Sequence, residues 1–386
     1  MLILVSISII LFAAYAMLIE YYRRSWKAIP NFELDKINPS SFLKKISIIV
    51  PVRNEEKNIQ HLLDSLFQQT YPKDLYQVIV VDDHSTDNTW NLISNLNYEE
   101  MNLICLQLAD YSDNLKTNSY KKFAIETGIN VSNGDLIITT DADCEPQSDW
   151  LKTIAAFQEK TNAKLIAAPV KINANNSFLS IFQTLDFITL QGITGASVFK
   201  KTHSMCNGAN LCYEKKAFYE VNGFRDIDNI PSGDDMLLMH KVYKKYPDLV
   251  FFLKNKNAIV STAPETNWKN FINQRVRWAS KADKYDDKRI FWVLLLVYIV
   301  NVLFTALLIA SFWNKMFLLL LLILLILKTL IEYPFVKSAA IFFEQEKMMK
   351  FFPLLQPLHI IYTIVIGWLG KFGSYRWKGR KVISGK

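Results

Sequence analysis

"DLIITTDADCEP", residues 135–146, runs an uninterrupted apolar stretch straight into two carboxylates, Asp141 and Asp143. Continuous apolar runs of this length, rather than alternating ones, mark strands buried on both faces, as in a parallel sheet covered by helices. A strand alternates its side chains with period two, so Asp-x-Asp at its end sends both acids the same way, beyond the sheet. Two acids sharing one space repel, and a cation between them removes the repulsion. Asp and Ser also end strands simply as turn formers, so the pair is read with its surroundings.

Outward from this stretch, apolar runs alternate with helical patterns. "ISIIVPV" precedes "EKNIQHLLDSLFQQT", "YQVIVVDD" precedes "STDNTWNLISNL", "LICLQL" precedes "KKFAIETGINV", "DLIITTDAD" precedes "SDWLKTIAAFQEK", and "KLIAAPVKI" closes the series. The order predicts an α/β fold with a mostly parallel, Rossmann-like sheet. Ligands of such sheets bind at the carboxyl ends of the strands. The polar clusters lie there: "PVRNEE" after the first strand, "DDHSTD" after the second and "DADCEP" after the fourth. Neither a P-loop nor a G-x-G-x-x-G fingerprint follows the first strand, so a diphosphate bound here needs a metal in place of a glycine cradle.

The 386 residues are 51% hydrophobic, but the apolar residues are concentrated at the two ends. Residues 2–19 carry no charge and are followed by "EYYRRSWK", which predicts an anchor with its basic flank inside. "AYA" at 14–16 has the form of a cleavage site, but no basic residue precedes the apolar run, as a cleaved signal requires. Two further spans, about 291–312 and 316–334, are joined by a hairpin turn. A third segment, about 353–370, contains Pro353, Pro357 and His359 and has basic residues at both ends, so it reads as either spanning or re-entrant. Arg23, Arg24 and Lys27 and the cluster at 281–289 bracket the middle of the chain and predict a cytoplasmic catalytic segment in a bacterial-type inner membrane. The expected divisions are an anchor at 1–22, a catalytic domain at 45–265, an interfacial helix region at 266–289, a membrane region at 290–370 and a basic tail at 371–386. The net charge of +8 is concentrated largely beside the apolar spans, which predicts contact with anionic membrane lipids and no nucleic-acid partner. Four cysteines without C-x-x-C spacing and five scattered histidines give no zinc or disulfide pattern. The oligomeric state leaves no mark in the sequence.

Seven motifs stand in one order: "IIVPVRNEE", "VVDDHSTDNT", "KKFAIETGI", "TTDADC", "CNGANLCYEKKAFYEVNGF", "SGDD" and "QRVRW". Together, over residues 45–280, they resemble the membrane-bound family 2 glycosyltransferases, which have a GT-A fold. The resemblance implies that Asp83 contacts the donor's uracil beside the backbone at Pro51 and Arg53. It implies that Asp141 and Asp143 hold Mg²⁺ or Mn²⁺ on the donor's diphosphate, and that Asp235 is the catalytic base. Gln274, Arg277 and Trp278 match Q-x-x-R-W; at i, i+3 and i+4 they share one helical face. Arg277 is then placed to pair with the diphosphate, and Gln274 and Trp278 to meet the acceptor. Lys121, with Lys122 beside it, is a candidate donor-phosphate contact, and either lysine reads equally as a solvated helix residue. Gly208 and Asp234 are candidates for shaping the acceptor pocket. His84 replaces a frequent glycine of the family pattern, and Asp234 replaces its usual glutamate.

The implied activity is inverting, metal-dependent transfer from a nucleotide sugar, read as a UDP-sugar, to a lipid or lipid-linked acceptor. One alternative is a processive polysaccharide synthase of the cellulose or hyaluronan synthase type, with a glycan acceptor. Another is an inactive nucleotide-binding membrane scaffold, for which the base has no use. The identity of the sugar is not encoded in any one motif.

Overall fold

Strands Ile46–Val52 (β1) and Tyr76–Asp82 (β2) are buried along nearly their whole length, as their β-branched runs require. They pair in parallel with each other, with Leu103–Gln107 (β3) and with Leu136–Thr139 (β4). The computed structural model describes residues 2–34, 44–96, 102–111, 119–281, 287–378 and 380–383. It resolves into two compact units, Pro30–Asn173 with Ser204–Ala263, and Met1–Ile29 with Ala174–His203 and Pro264–Lys386.

The first of these is the α/β unit. Its main sheet has seven strands in the order β3-β2-β1-β4-β8-β6-β9, where β6 is Leu165–Ala167, β8 is Leu211–Glu214 and β9 is Val250–Phe252. β8 is antiparallel to both of its neighbours. A second sheet, β5-β10-β7, joins Cys144–Pro146 (β5), Val260–Thr262 (β10) and Val170–Ile172 (β7). "KLIAAPVKI", read as one strand, is therefore two strands in two sheets. The break falls at Ala168–Pro169, where proline cannot donate to a ladder. Register brings Val52 opposite Asp82 and Ile49 opposite Thr139, so the segments after β1, β2 and β4 leave the sheet at one edge.

Helices Ile59–Phe67 (α2), Thr89–Ser94 (α3), Tyr120–Val131 (α4) and Trp150–Thr161 (α5) connect these strands. α2 buries Ile59, Leu62, Leu63 and Leu66, a single stripe at helical spacing. α4 lies so close to the sheet that a Cβ on Gly128 would stand 2.8 Å from Ile49 Cγ2.

The helical unit contains Leu2–Ala28 (α1), Phe178–Lys200 (α6), Trp268–Ala279 (α9), Lys288–Ala310 (α10), Lys315–Phe342 (α11) and Phe352–Phe372 (α12). Among the described residues, four stretches are long and apolar enough to cross a membrane: Ile3–Ala28, Lys288–Ala310, Lys315–Phe342 and Glu346–Phe372. Three of the expected limits shift. α1 continues six residues past 22, and α11 continues through Pro334 as far as Phe342. The segment around 353–370 is one helix unbroken at Pro357, so no re-entrant pair of half-helices forms. The expected basic tail begins as the end of α12 and continues as a hairpin of Ser374–Trp377 (β11) and Arg380–Ile383 (β12). Residues 282–286, part of the basic cluster before the membrane hairpin, lie outside the described residues.

The span expected as one catalytic domain, 45–265, is divided by α6, which groups with the helical unit. α6 is buried on nearly all sides, with Gln183, Asp186 and Gln191 among its buried residues.

Candidate active site

In the α/β unit, β4 ends at Thr139, and Cys144 N–H donates to Asp141 O across a turn at 3.1 Å. Asp141 and Asp143 thus sit on that turn and not on the strand. Strand alternation is therefore not what sets their direction. The turn presents Asp141 to Lys121, whose Nζ lies 2.7 Å from Asp141 Oδ1, and leaves Asp143 exposed with its Oδ2 accepting from Thr262 Oγ1 at 3.3 Å.

The same ammonium stands 3.5 Å from Asp234 Oδ2. Burial alone would lower the Lys121 pKa, but Asp141, Asp234 and Asp235 together push it above its usual value, so the lysine is a fixed cation among three acids. Asp234 and Asp235 open helix α8, Asp234–Lys245, which follows Lys215–Glu220 (α7) in the chain. Gly233 before them has φ +78°, a left-handed backbone that glycine enters without strain. The two neighbours diverge: Asp234 turns to Lys121, while Asp235 Oδ2 accepts from Gly208 N–H at 3.0 Å and its Oδ1 from Met236 N–H at 2.7 Å. A Cβ on Gly208 would lie 3.2 Å from Asp234 Oδ2, so glycine is what lets the loop approach the acids this closely. Thr139 Oγ1, at the end of β4, donates to Gly208 O at 3.0 Å and ties this loop to the strand that leads into the turn of Asp141 and Asp143. Asn210 of the same "CNGAN" stretch is fully buried and donates to Pro169 O and Ala258 O.

At the other end of the same sheet edge, Asp83 is 2% exposed, with Oδ1 3.0 Å from His84 Nδ1 and 3.8 Å from Arg53 Nη1. Arg53 Nη1 donates to Asp83 O at 2.6 Å and to His84 O at 2.9 Å, so Arg53 holds the backbone of the second-strand loop. His84 has φ +54°. The position calls for left-handed backbone, which accounts for the glycine common there and which a histidine adopts at some cost. Pro51 occupies β1 opposite Val81.

Asp141 and Asp143 offer the hard oxygen donors that Mg²⁺ and Mn²⁺ take, and Asp141 already faces a cationic group. Among the described residues, no three His, Cys, Asp or Glu side chains gather to hold an ion by themselves. An ion held by these two acids would need phosphate oxygens and water to complete its ligands, as is usual for Mg²⁺.

The chain matches the models of two related families, glycosyl transferase family 2 over residues 47–221 and glycosyl transferase family group 2 over residues 136–369. It belongs to the family 2 glycosyltransferases. Relatives in this family include a probable glycosyltransferase, YdaM, of Bacillus subtilis, 25% identical over 61% of this chain and 55% of its own length. Another is a dolichyl N-acetyl-α-D-glucosaminyl phosphate 3-β-D-2,3-diacetamido-2,3-dideoxy-β-D-glucuronosyltransferase of Methanococcus voltae, 28% identical over 74% of this chain and 88% of its own length. Glycosyltransferase AglE of Haloferax volcanii is 34% identical over 51% of this chain, which spans 60% of AglE. Among solved structures, the mannosyltransferase PcManGT of Pyrobaculum calidifontis, in complex with GDP-Man and Mn²⁺, superposes with a TM-score of 0.59 at 17% identity. That match covers 95% of this chain and 99% of PcManGT, and it identifies the shared GT-A fold.

Of the residues that the family motifs single out, Arg53, Asp83, Lys121, Asp141, Asp143, Gly208, Asp234 and Asp235 all belong to the α/β unit, whereas Gln274, Arg277 and Trp278 lie on α9 of the helical unit. Within α9, Gln274 Nε2 donates to Glu265 Oε1 at 3.1 Å. Arg275, inside the same motif but not singled out, is 2% exposed, with its guanidinium 4.2 Å from the centre of the Trp278 ring. Its Nη2 makes an ion contact with Asp186 Oδ2 of α6 at 3.0 Å. The motif spacing singles out Arg277, two residues further on, and no local pattern links positions 186 and 275.

Proposed function

We propose that this family 2 glycosyltransferase moves a sugar, with inversion, from a nucleotide diphosphate donor to a lipid or lipid-linked acceptor at a membrane. The observation that carries the proposal is the convergence of Lys121, Asp141, Asp234, Asp235 and Gly208 at one edge of the sheet. Transfer to a hydroxyl needs one base for the acceptor's proton and a cationic site for the departing diphosphate.

In this reading Asp235 takes the proton as the acceptor oxygen bonds to the anomeric carbon and the bond from that carbon to the diphosphate oxygen breaks. A single displacement without a protein nucleophile inverts the anomeric centre. Asp141 and Asp143 would hold a divalent ion, which supplies Lewis-acid stabilisation of charge on the leaving diphosphate. Lys121 adds a second positive charge to the same group. Asp83, with Pro51 and Arg53 beside it, takes the nucleobase, read as uracil. Gln274 and Trp278 serve the acceptor and Arg277 the diphosphate, roles that rest on the family resemblance alone. A lipid-linked acceptor is favoured by the spans in this chain and by the dolichyl-linked acceptor in the name of the M. voltae relative. The basic flanks of α1 and α10 favour a cytoplasmic α/β unit.

The test is nucleotide release by the detergent-purified chain from a panel of UDP- and GDP-sugars, with Mn²⁺, Mg²⁺ or EDTA, with and without extracted membrane lipids. Mass spectrometry of the lipid fraction then reads the product. Release stimulated by lipid, giving a lipid that carries one added sugar, is expected. A long glycan would instead assign a processive synthase, and bound nucleotide with no release under any condition would assign a scaffold.

A further inference from the structure

Lys121 and Lys122 are identical neighbours on the first turn of α4, yet they do different things. Successive helical residues point about 100° apart. Lys121 reaches the acids, whereas Lys122 is 3% exposed and turns to the segment that leads into them. Its Nζ donates to Ile227 O at 2.8 Å, Ile230 O at 2.5 Å and Ser232 O at 3.1 Å. An ammonium has three N–H donors, so these carbonyls are enough to use them all. Ser119, the residue just before α4, donates its hydroxyl to the same Ile230 O at 2.7 Å.

Residues 227–232 come directly before Gly233, with its left-handed backbone, and then Asp234 and Asp235. We propose that Lys122 is a positioning residue that fixes the entry to α8 and so sets where Asp235 presents its carboxylate. The inference rests on the reading of Asp235 as the base. A buried ammonium is costly to desolvate, and an apolar side chain of similar length would fill the space without that cost. What the apolar side chain lacks is the ability to bind three carbonyls of one loop at once. The loop is thereby gripped twice from one helix turn, through its backbone by Lys122 and through Asp234 by Lys121. An error of about 1 Å in the placement of a catalytic group is enough to cost roughly a hundredfold in rate.

The experiment uses full-length enzyme in detergent and compares Lys122→Met, Lys122→Arg, Ser119→Ala and Asp235→Asn with the wild type. It measures kcat and KM for nucleotide release, nucleotide affinity by calorimetry, and amide hydrogen exchange. For Lys122→Met we expect kcat to fall about tenfold to a hundredfold. Nucleotide affinity should stay within about threefold, with faster exchange confined to residues around 227–236. Lys122→Arg, which keeps the charge and donors, should recover much of the loss. Ser119→Ala should show the same pattern more weakly, and it tests the idea by itself if Lys122→Met does not fold. Wild-type kcat in a folded Lys122→Met or Ser119→Ala protein whose loop exchanges faster overturns the proposal. So does a fall in kcat matched by an equal loss of nucleotide affinity and by faster exchange throughout the unit. If Asp235→Asn retains wild-type kcat, the base assignment is what fails; if Asp235→Asn is inactive while the loosened Lys122→Met is not, only the positioning role fails.

Discussion

Lys328 and Lys121 each pair with carboxylates, and their surroundings are built differently. Lys328 of α11 is fully buried, with Nζ 2.7 Å from Glu332 Oε1 and 2.6 Å from Gln356 Oε1 of α12. Gln356 Nε2 donates to Glu332 Oε2 at 2.7 Å, and the Tyr15 hydroxyl of α1 donates to Glu332 as well. The four side chains bind one another and link three helices. Lys121 of α4 keeps a 20% exposed side chain, and its partner Asp141 is 36% exposed. The first cluster is closed, so its charges can only hold helices together. The second is open to solvent, so its carboxylates keep lone pairs for a ligand. Exposure of the acid, more than the presence of an ion pair, separates a closed cluster from one that a ligand can reach.

Substitutions break the comparison at its strongest point first. Asp143→Ala should abolish metal-dependent turnover while leaving the protein folded, because an exposed turn acid contributes little stability; turnover within a few fold of wild type would remove the metal assignment. Asp235→Asn should lower kcat by roughly 10²- to 10⁴-fold with nucleotide affinity nearly unchanged. Asp234→Asn should do less, and kinetics showing the reverse order would exchange the roles of the two residues.

In the closed cluster, Glu332→Ala leaves a buried ammonium without its counterion and should destabilise the helical unit by about 3–5 kcal/mol. A combined Lys328→Met and Glu332→Leu change should recover most of that. Thermal unfolding in detergent measures both, and activity per folded molecule should hardly change. A loss of activity in the stable double variant would show that the closed cluster does more than hold helices.

The smallest effect concerns a third cluster. Burial alone would raise the Asp186 pKa, but Arg275 and His359 outweigh it and hold the carboxyl below the ordinary range. A depressed carboxylate contributes stability above its unfolded pKa of about 3.9 and loses it as the pH falls through the folded value. Wild type should therefore lose more thermal stability than Asp186→Asn between neutral pH and acid below the unfolded value. Parallel pH profiles for the two proteins would remove the ion pair from the account.

The runs that became β1 to β4 were legible because burial on both faces leaves a continuous apolar signature, and the helices between them because a single buried face repeats at helical spacing. The sheet edge followed, since parallel connection puts every strand's carboxyl end on one side, and with it the acids after β1, β2 and β4. β8 was not legible. "LCYE" is four residues long, too short for a period to show, and only pairing with β4 and β6 makes it a strand. α6 was not legible as a member of the helical unit either, because that depends on its contacts with α1 and α11.

The sequence by itself determined the chemistry available: seven motifs in order, an Asp-x-Asp, a Gly-Asp-Asp, and apolar spans long enough for a bilayer. These are local properties, written in residue types and their spacing along the chain. Only the tertiary structure decided which lysine meets the acids and which holds the loop behind them, since Lys121 and Lys122 differ by one step of rotation on one helix. It alone joined Asp141 to Lys121, Lys122 to Ile230, and Arg275 to Asp186. Such partners lie tens of residues apart, and their meeting depends on how whole elements pack, which no local pattern records.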